Sequence, residues 1–216
     1  MLSAFRYRLY PTAEQKIRLN RSLLLLCDLY NGLRAEKIRK YKEERKSISH
    51  TGLRALALES RRQNLDLQAV HSQVVQNTAD RLHIAFKNFL GGRARFPRFK
   101  RYSRYNSLTY PQSGFRLNPA KGLFLSRIGH VRIFVHRPML GKVVRLSVKR
   151  EANEWYAIFI TEREAPIKRP LSEVPHERIR SADLGLSTFA VFDDSTSVEY
   201  QRFLKASEAK LKHIQH

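Results

Sequence analysis

With 216 residues and 42% hydrophobic side chains, the chain can fill one large core or two small ones, which excludes global disorder. A formal net charge of +22 points to a polyanionic partner. No apolar run reaches the roughly 18 residues of a membrane span, and the single cysteine, Cys27, rules out an internal disulfide and a Cys-rich zinc ribbon.

Residues 4–10 alternate Phe5, Tyr7 and Leu9 with Arg6, Arg8 and Tyr10, which predicts a strand with one apolar and one basic face. The arginines among its apolar positions argue against a signal peptide. Pro11 ends the strand, and Thr12 with Gln15 reads as a capping box that opens a helix. Ile17, Leu23, Leu24 and Leu26 supply its expected apolar side, with Cys27 as a buried, inert thiol. Asn31-Gly32 predicts a break before the pattern resumes through Ile38 and Tyr41 to Lys46. A loop over 47–52 and a short helix over 53–62 follow. A longer helix is expected over 67–90, with Val70, Val74, Leu82, Ala85, Phe86 and Phe89 as its core stripe and Gly91-Gly92 as its stop.

After Gly92 the period changes to that of strands, expected at 107–110, 123–126, 131–136, 143–149 and 155–161, with a hairpin turn at Glu151–Glu154. The lone N-terminal strand needs a partner, and only these later strands offer one, so the pattern suggests a β-barrel interrupted by helices. Three prolines within 166–175 mark a linker. Beyond it, strands at 178–184, 188–192 and 198–200 and a basic helix from Phe203 define a second unit, with a turn at Asp193-Asp194-Ser195.

Charge is not spread evenly. Residues 81–150 hold seventeen Lys or Arg and no carboxylate, whereas residues 1–80 carry +7 and residues 151–216 carry −2. Within the middle segment, GGRARFPRFKRYSRYNSLTY sets Arg93, Arg95, Arg98, Lys100, Arg101 and Arg104 among Phe96, Phe99, Tyr102 and Tyr105. Guanidinium groups pair bidentately with phosphate, and exposed rings offer stacking planes to unpaired bases. This combination favours RNA or single strands over a duplex backbone. The same rings could equally be core anchors. Arg132, Arg145 and Lys149 on later strands, with Arg6 and Arg8 on the first, extend the candidate basic surface.

Asp183 sits at the end of a predicted strand, and Gly185 lets the chain turn into the next. The segment ADLGLSTFAVF resembles the opening hairpin of an RNase H-like nuclease, in which clustered carboxylates hold two Mg²⁺. One aspartate cannot hold that pair, and Asp193 and Asp194 read as turn residues. The eight histidines show no zinc-binding spacing.

Taken in order, FRYRLYPTAEQ, LHIAFKNFL, ARFPRFKRYSRYNSLTYP, NEWYAIFITE and ADLGLSTFAVF resemble the TnpB/OrfB family of insertion-sequence proteins, transposon-associated relatives of type V CRISPR effectors. The resemblance implies an RNA-guided DNA endonuclease of α+β class. Its oligonucleotide-binding-like β-barrel (1–10 and 92–165) would be interrupted by a helical recognition insert (11–91), then followed after a linker (166–177) by the first strands of an RNase H-like (RuvC) domain (178–216). It makes Asp183 the first catalytic and Mg²⁺-binding carboxylate and the basic belt a surface for guide RNA and DNA. The family's second-strand glutamate, CxxC pair and final aspartate have no counterpart here. The expectation is therefore a C-terminally truncated binder in a prokaryotic cytoplasm, without zinc, membrane contact or cleavage of its own. The alternatives are one part of a split endonuclease completed by a second polypeptide, with Mg²⁺ as cofactor, and an RNA-associated structural protein.

If the middle segment engages even six phosphates, log Kd against log salt is expected to have a slope of magnitude about 5. Fluorescence anisotropy between 50 and 300 mM salt measures it on a duplex, and on a single-stranded oligonucleotide the same six contacts give about 4; a slope of about 1 or less would contradict the belt's role.

Overall fold

The computed structural model describes residues 1–118, 121–164 and 171–215, which form two units, residues 1–165 and 166–216. In the first unit, strand β1 (Leu2–Tyr10) shows the expected alternation, with Phe5, Tyr7 and Leu9 buried and their neighbours turned outward. Thr12 and Gln15 form the reciprocal capping box that starts α1 (Ala13–Glu44).

Helix α1 does not break at Asn31-Gly32. It runs 32 residues without interruption. A mid-helix glycine costs about 1 kcal/mol, and buried Leu29, Tyr30 and Leu33 on either side outweigh it. Its apolar face is also shifted from the expected one: Leu19, Leu23, Leu26 and Cys27 are buried, whereas Ile17 and Leu24 are exposed. Burial holds the Cys27 thiol above its usual pKa, in keeping with an inert core residue.

Helix α2 (His50–Gln63) begins earlier than the pattern suggested, because Ser49 caps it by accepting from the Gly52 N–H at 3.1 Å. The long helix expected over 67–90 is two. A single turn, α3 (Leu65–Gln68), is capped by Asn64, and α4 (Ser72–Leu90) starts afresh with the His71 carbonyl accepting from Val74 and Val75. The Arg61 guanidinium ties off the carbonyls of Gln68 and Val70 at the joint. Asp80 on α4 accepts from His50 and Arg54 on α2, at 2.6 Å each, and so locks the two helices side by side. Burial opposes ionisation there, but the hydrogen bonds from Arg54 and His50 hold its carboxyl below the usual range.

Strands β2 (Ser107–Tyr110), β3 (Phe115–Asn118), β4 (Gly122–Leu125), β5 (Gly129–Phe134), β6 (Lys142–Glu151) and β7 (Glu154–Glu162) join β1 in one antiparallel sheet of order β2-β6-β7-β1-β5-β4-β3. Strand β3 had no counterpart in the sequence reading. β1 lies at the centre, with Phe5 opposite Phe159 and Leu9 opposite both Trp155 and Ile133.

The sheet must roll. Laid flat, its two end strands would stand about 29 Å apart at about 4.8 Å per strand. Yet Tyr110 of β2 and Phe115 of β3 are only five residues apart, a reach of about 18 Å. Their rings meet at 6.3 Å, and Phe115 touches Phe159 of β7 at 6.4 Å, so the concave side closes over a shared aromatic core.

In the second unit, β8 (Ala182–Leu184), β9 (Thr188–Phe192) and β10 (Ser197–Glu199) form a three-stranded antiparallel sheet of order β10-β9-β8, followed by α5 (Phe203–Gln215). The first strand is three residues long, not the seven expected, and the turn falls at Asp193–Ser195 as read. Of the expected linker, 166–170 lie outside the described residues, while 171–173 and 176–178 are single 3-10 turns.

Gly122 has φ +82°, and a Cβ there would meet the Val131 carbonyl oxygen at 2.6 Å, whereas a Cβ on Gly32 would meet nothing within 4 Å. Gly122→Ala is expected to lower unfolding stability by about 1–3 kcal/mol and Gly32→Ala to raise it by about 1 kcal/mol. Urea denaturation compares the two; a neutral Gly122→Ala would contradict the packing of β4 against β5.

Candidate nucleic-acid interface

The belt, residues 93–101, has no regular secondary structure, so its place must come from side chains. Asn31 supplies two of the contacts. Its amide donates to the Lys100 carbonyl at 3.0 Å and accepts from the Lys100 N–H at 2.8 Å. Arg34 donates to the Pro97 carbonyl at 2.7 Å, the Cys27 thiol donates to the Lys100 carbonyl at 3.4 Å, and Tyr102 donates to Asp28 at 2.5 Å. An extended segment is thereby fastened along α1.

Arg93, Arg95, Arg98, Lys100, Arg101 and Arg104 are all exposed, and among the described residues none forms an ion pair. The rings divide. Tyr105 is buried, its ring tilted against Tyr30 at 6.3 Å and its hydroxyl 3.4 Å from Thr78, so it belongs to the core and is not a stacking platform. Phe96 packs edge-on against Phe86 and Phe89 yet stays 44% exposed. Phe99 and Tyr102 are exposed, with the Arg34 guanidinium 4.2 Å from the Phe99 ring.

A second basic surface lies on the convex face of the rolled sheet. The registers of β6, β7, β1 and β5 align Lys149, Tyr156, Arg8 and Phe134 in one cross-strand row. Arg6 stacks on Tyr156 at 3.8 Å, and Arg132 sits 5.8 Å from the ring of exposed Tyr10. Arg145 is exposed on the same face of β6. Tyr10, Tyr156 and Phe134 were absent from the residues singled out in the sequence. The alternation that put Arg6 and Arg8 outside also put Tyr10 there, but only the pairing register brings Tyr156 and Phe134 alongside.

Two carboxylates occupy part of this face. Glu151 pairs with Arg6 at 2.6 Å and with Lys149, and Glu154 forms a two-pronged pair with Arg8 while accepting from Tyr156 at 2.6 Å. Hydrogen bonding from Lys149, helped by Arg6, holds the Glu151 carboxyl below its usual range; Tyr156 and then Arg8 do the same for Glu154. Both are charged at neutral pH. These pairs are only partly buried and water reaches them, so a phosphate, which also pairs with guanidinium in two-pronged fashion, can compete with either carboxylate.

Asp183, in the second unit, is exposed on β8 opposite Val191. Among the described residues no group of three His, Cys, Asp or Glu side chains could hold a metal ion. The nearby carboxylates are otherwise engaged: Asp194 pairs with Arg180 at 2.6 Å and accepts from the Thr196 N–H at 3.0 Å, and Asp193 accepts from the Ser181 N–H. Among the described residues the side chains do not by themselves fit a two-Mg²⁺ centre. Among the described residues no helix is long and apolar enough to cross a membrane.

A family model described as a helix-turn-helix domain, of the OrfB type of IS605 elements, matches residues 1–46. In this chain that segment is one strand and one uninterrupted helix. The chain is similar, at 26% identity over 217 residues, to "Putative RNA-guided DNA endonuclease InsQ" of Escherichia coli (strain K12), covering 99% of this chain and 53% of that protein. It is 31% identical over 115 residues to "Putative RNA-guided DNA endonuclease" of Streptomyces pristinaespiralis, covering 52% of this chain and 29% of that protein. It thus spans about half the length of the first relative and less of the second. Among solved structures, a chain of the Cas12f1–sgRNA–target DNA complex aligns with a TM-score of 0.44 and 9% identity, over 100% of this chain and 61% of that one.

Because Glu151 and Glu154 compete with phosphate for Arg6 and Arg8, the double variant Glu151→Gln/Glu154→Gln is expected to bind single-stranded oligonucleotides severalfold more tightly. Its salt slope should steepen by about 1 to 2. Anisotropy titrations at several salt concentrations measure both; unchanged binding would remove the convex face from the interface.

Proposed function

We propose that this chain, which belongs to the TnpB/OrfB family, is the nucleic-acid-binding part of a transposon-associated, RNA-guided system: it holds a guide-type RNA and contacts DNA, without cleaving DNA on its own. The observation that carries this reading is the acid-free stretch 81–150, whose belt cations are exposed and unpaired on a segment strapped to α1. Leaving six like charges together disfavours the free protein. A polyanion relieves that repulsion.

On this reading the rolled sheet is an oligonucleotide-binding barrel (1–10 and 92–165), the helices of 11–91 are a recognition insert, and 178–216 are the opening strands of an RNase H-like domain with Asp183 as its first carboxylate. A single exposed aspartate supports neither two-metal catalysis nor a stable Mg²⁺ site. Mg²⁺-dependent chemistry would need carboxylates from further polypeptide.

One observation favours the second reading, a split endonuclease. Leu184, Leu186, Phe189, Val191, Val198, Tyr200 and Phe203 are all exposed in the second unit, Leu186 at 94%, and among its described residues only Ala190 is buried. The register puts Leu184 and Val198 on one side of this sheet and Phe189 and Val191 on the other, and apolar side chains exposed on both sides call for cover by additional chain. A polypeptide completing the RNase H-like sheet would supply both that cover and the missing carboxylates.

Purification through a wash of about 1 M salt, which screens exposed charges to about 3 Å, followed by sequencing of retained nucleic acid, tests the function. One defined RNA mapping to the flank of the protein's own gene is expected. A random mixture, or nothing, would reduce the belt to generic phosphate affinity.

A further inference from the structure

Where α1, α2, α4 and the start of the belt converge, the first unit has a cleft of about 610 Å³. One wall is aromatic: Phe86, Phe89 and Phe96 meet edge to face, with ring centroids 5.6 and 5.1 Å apart. The lining also holds the imidazoles of His50 and His83, stacked at 4.4 Å, with His83 one turn before Phe86 on α4. At the inner end lies Lys37, a buried ammonium with no carboxylate partner among the described residues. Its Nζ donates to Ser47 Oγ at 2.7 Å and to the Ile48 carbonyl, which uses two of its three N–H groups. The nearby carboxylate of Asp80 is held by His50 and Arg54. At the mouth, Lys87 is exposed, and Phe96 carries the chain directly back to Arg95 and Arg93.

The cleft is mostly apolar, has aromatic walls, keeps one Lys37 N–H that meets only the Phe86 ring, 5.4 Å away, and opens where unpaired cations begin. A membrane or an apolar protein helix would use the apolar wall but would offer no acceptor to the third N–H of Lys37. A nucleotide in a single strand satisfies every feature: its base stacks on rings, an acceptor reaches Lys37, and the flanking phosphates remain outside on Lys87, Arg93 and Arg95.

We propose that this cleft takes one unstacked base of the bound single strand, and that Lys37 selects a base presenting a carbonyl oxygen (uracil, thymine, cytosine or guanine) over adenine, which has none. The proposal rests on the nucleic-acid reading above and adds a specificity determinant to it. Arg93 and Arg95 give affinity regardless of sequence, whereas Lys37 and the phenylalanines read the base.

The full chain is titrated by anisotropy with oligo(U) and oligo(A) of equal length, for the parent protein and for Lys37→Met, Phe89→Ala and Arg93→Gln/Arg95→Gln. The expected result is an oligo(U) preference of about tenfold, as for one charge-assisted hydrogen bond. Lys37→Met should abolish it without changing the salt slope, and Phe89→Ala should weaken oligo(U) binding by about tenfold. Arg93→Gln/Arg95→Gln should weaken both oligomers equally and flatten the slope. Because Lys37→Met could disturb the loop it anchors, photocrosslinking of 4-thiouridine RNA to the unaltered protein gives a second readout. Adducts at Lys37, Tyr41, 47–50, 83–90 or Phe96 support the pocket, and adducts confined elsewhere overturn it. Equal binding of both oligomers with a steep salt slope would overturn the pocket alone; absence of salt-dependent binding would overturn the nucleic-acid reading with it.

Discussion

The pairing of β1 at the centre of the sheet is the constraint on which the first unit depends. Residues 2–10 lie between β7, whose residues are some 150 positions further along, and β5. Remove that strand and the sheet falls into two pieces, with Trp155, Phe159 and Val131 losing neighbours on the concave side. Everything from 11 to 128 is therefore a closed excursion whose two ends are fixed by β-pairing. Such long-range closure is entropically expensive and slow to form, and the fold offsets it with a dense aromatic core in which Tyr7, Phe159 and Phe115 make successive edge-to-face contacts.

The same closure positions the charge. Since β1 runs antiparallel to both neighbours, its outward residues line up with outward residues of β5, β6 and β7, and isolated arginines become a patch laced with rings. Along α1, one asparagine side chain serves as a clip for a segment with no ladder of its own. The two surfaces are built differently. The convex face keeps its arginines partly neutralised by the hairpin glutamates, while the belt leaves its cations free. Affinity from the first requires an exchange of carboxylate for phosphate; affinity from the second requires only approach.

The Asn31-Gly32 pair shows where local reading fails. Both residues are turn formers by intrinsic preference, because an asparagine side chain competes for backbone hydrogen bonds and glycine loses the most entropy on ordering. In the folded chain the Asn31 amide is fully engaged by the Lys100 backbone, nearly seventy residues away, so it does not compete with its own helix. The opposite error occurs at 69–71, where an apolar stripe continues through a joint. The stripe survives because Val70 and Val74 face the same core, although the helix axis is re-started by His71.

By itself the sequence determined the N-terminal strand, its capping box, the switch from helical to strand period after Gly92, the hairpin at 151–154, and the absence of carboxylates from the strongly basic stretch 81–150. These are set by spacing, by turn chemistry and by counting, all of which act within a few residues. Only the tertiary structure decided that Tyr105 is core while Phe96 is half exposed, that Arg6, Arg8 and Lys149 carry glutamate partners, that Tyr10, Phe134 and Tyr156 join them on one face, and that Lys37 ends an aromatic cleft. Burial and ion pairing depend on which distant segment arrives opposite a side chain. That is fixed by strand register and helix packing across more than a hundred residues, and no local pattern records it.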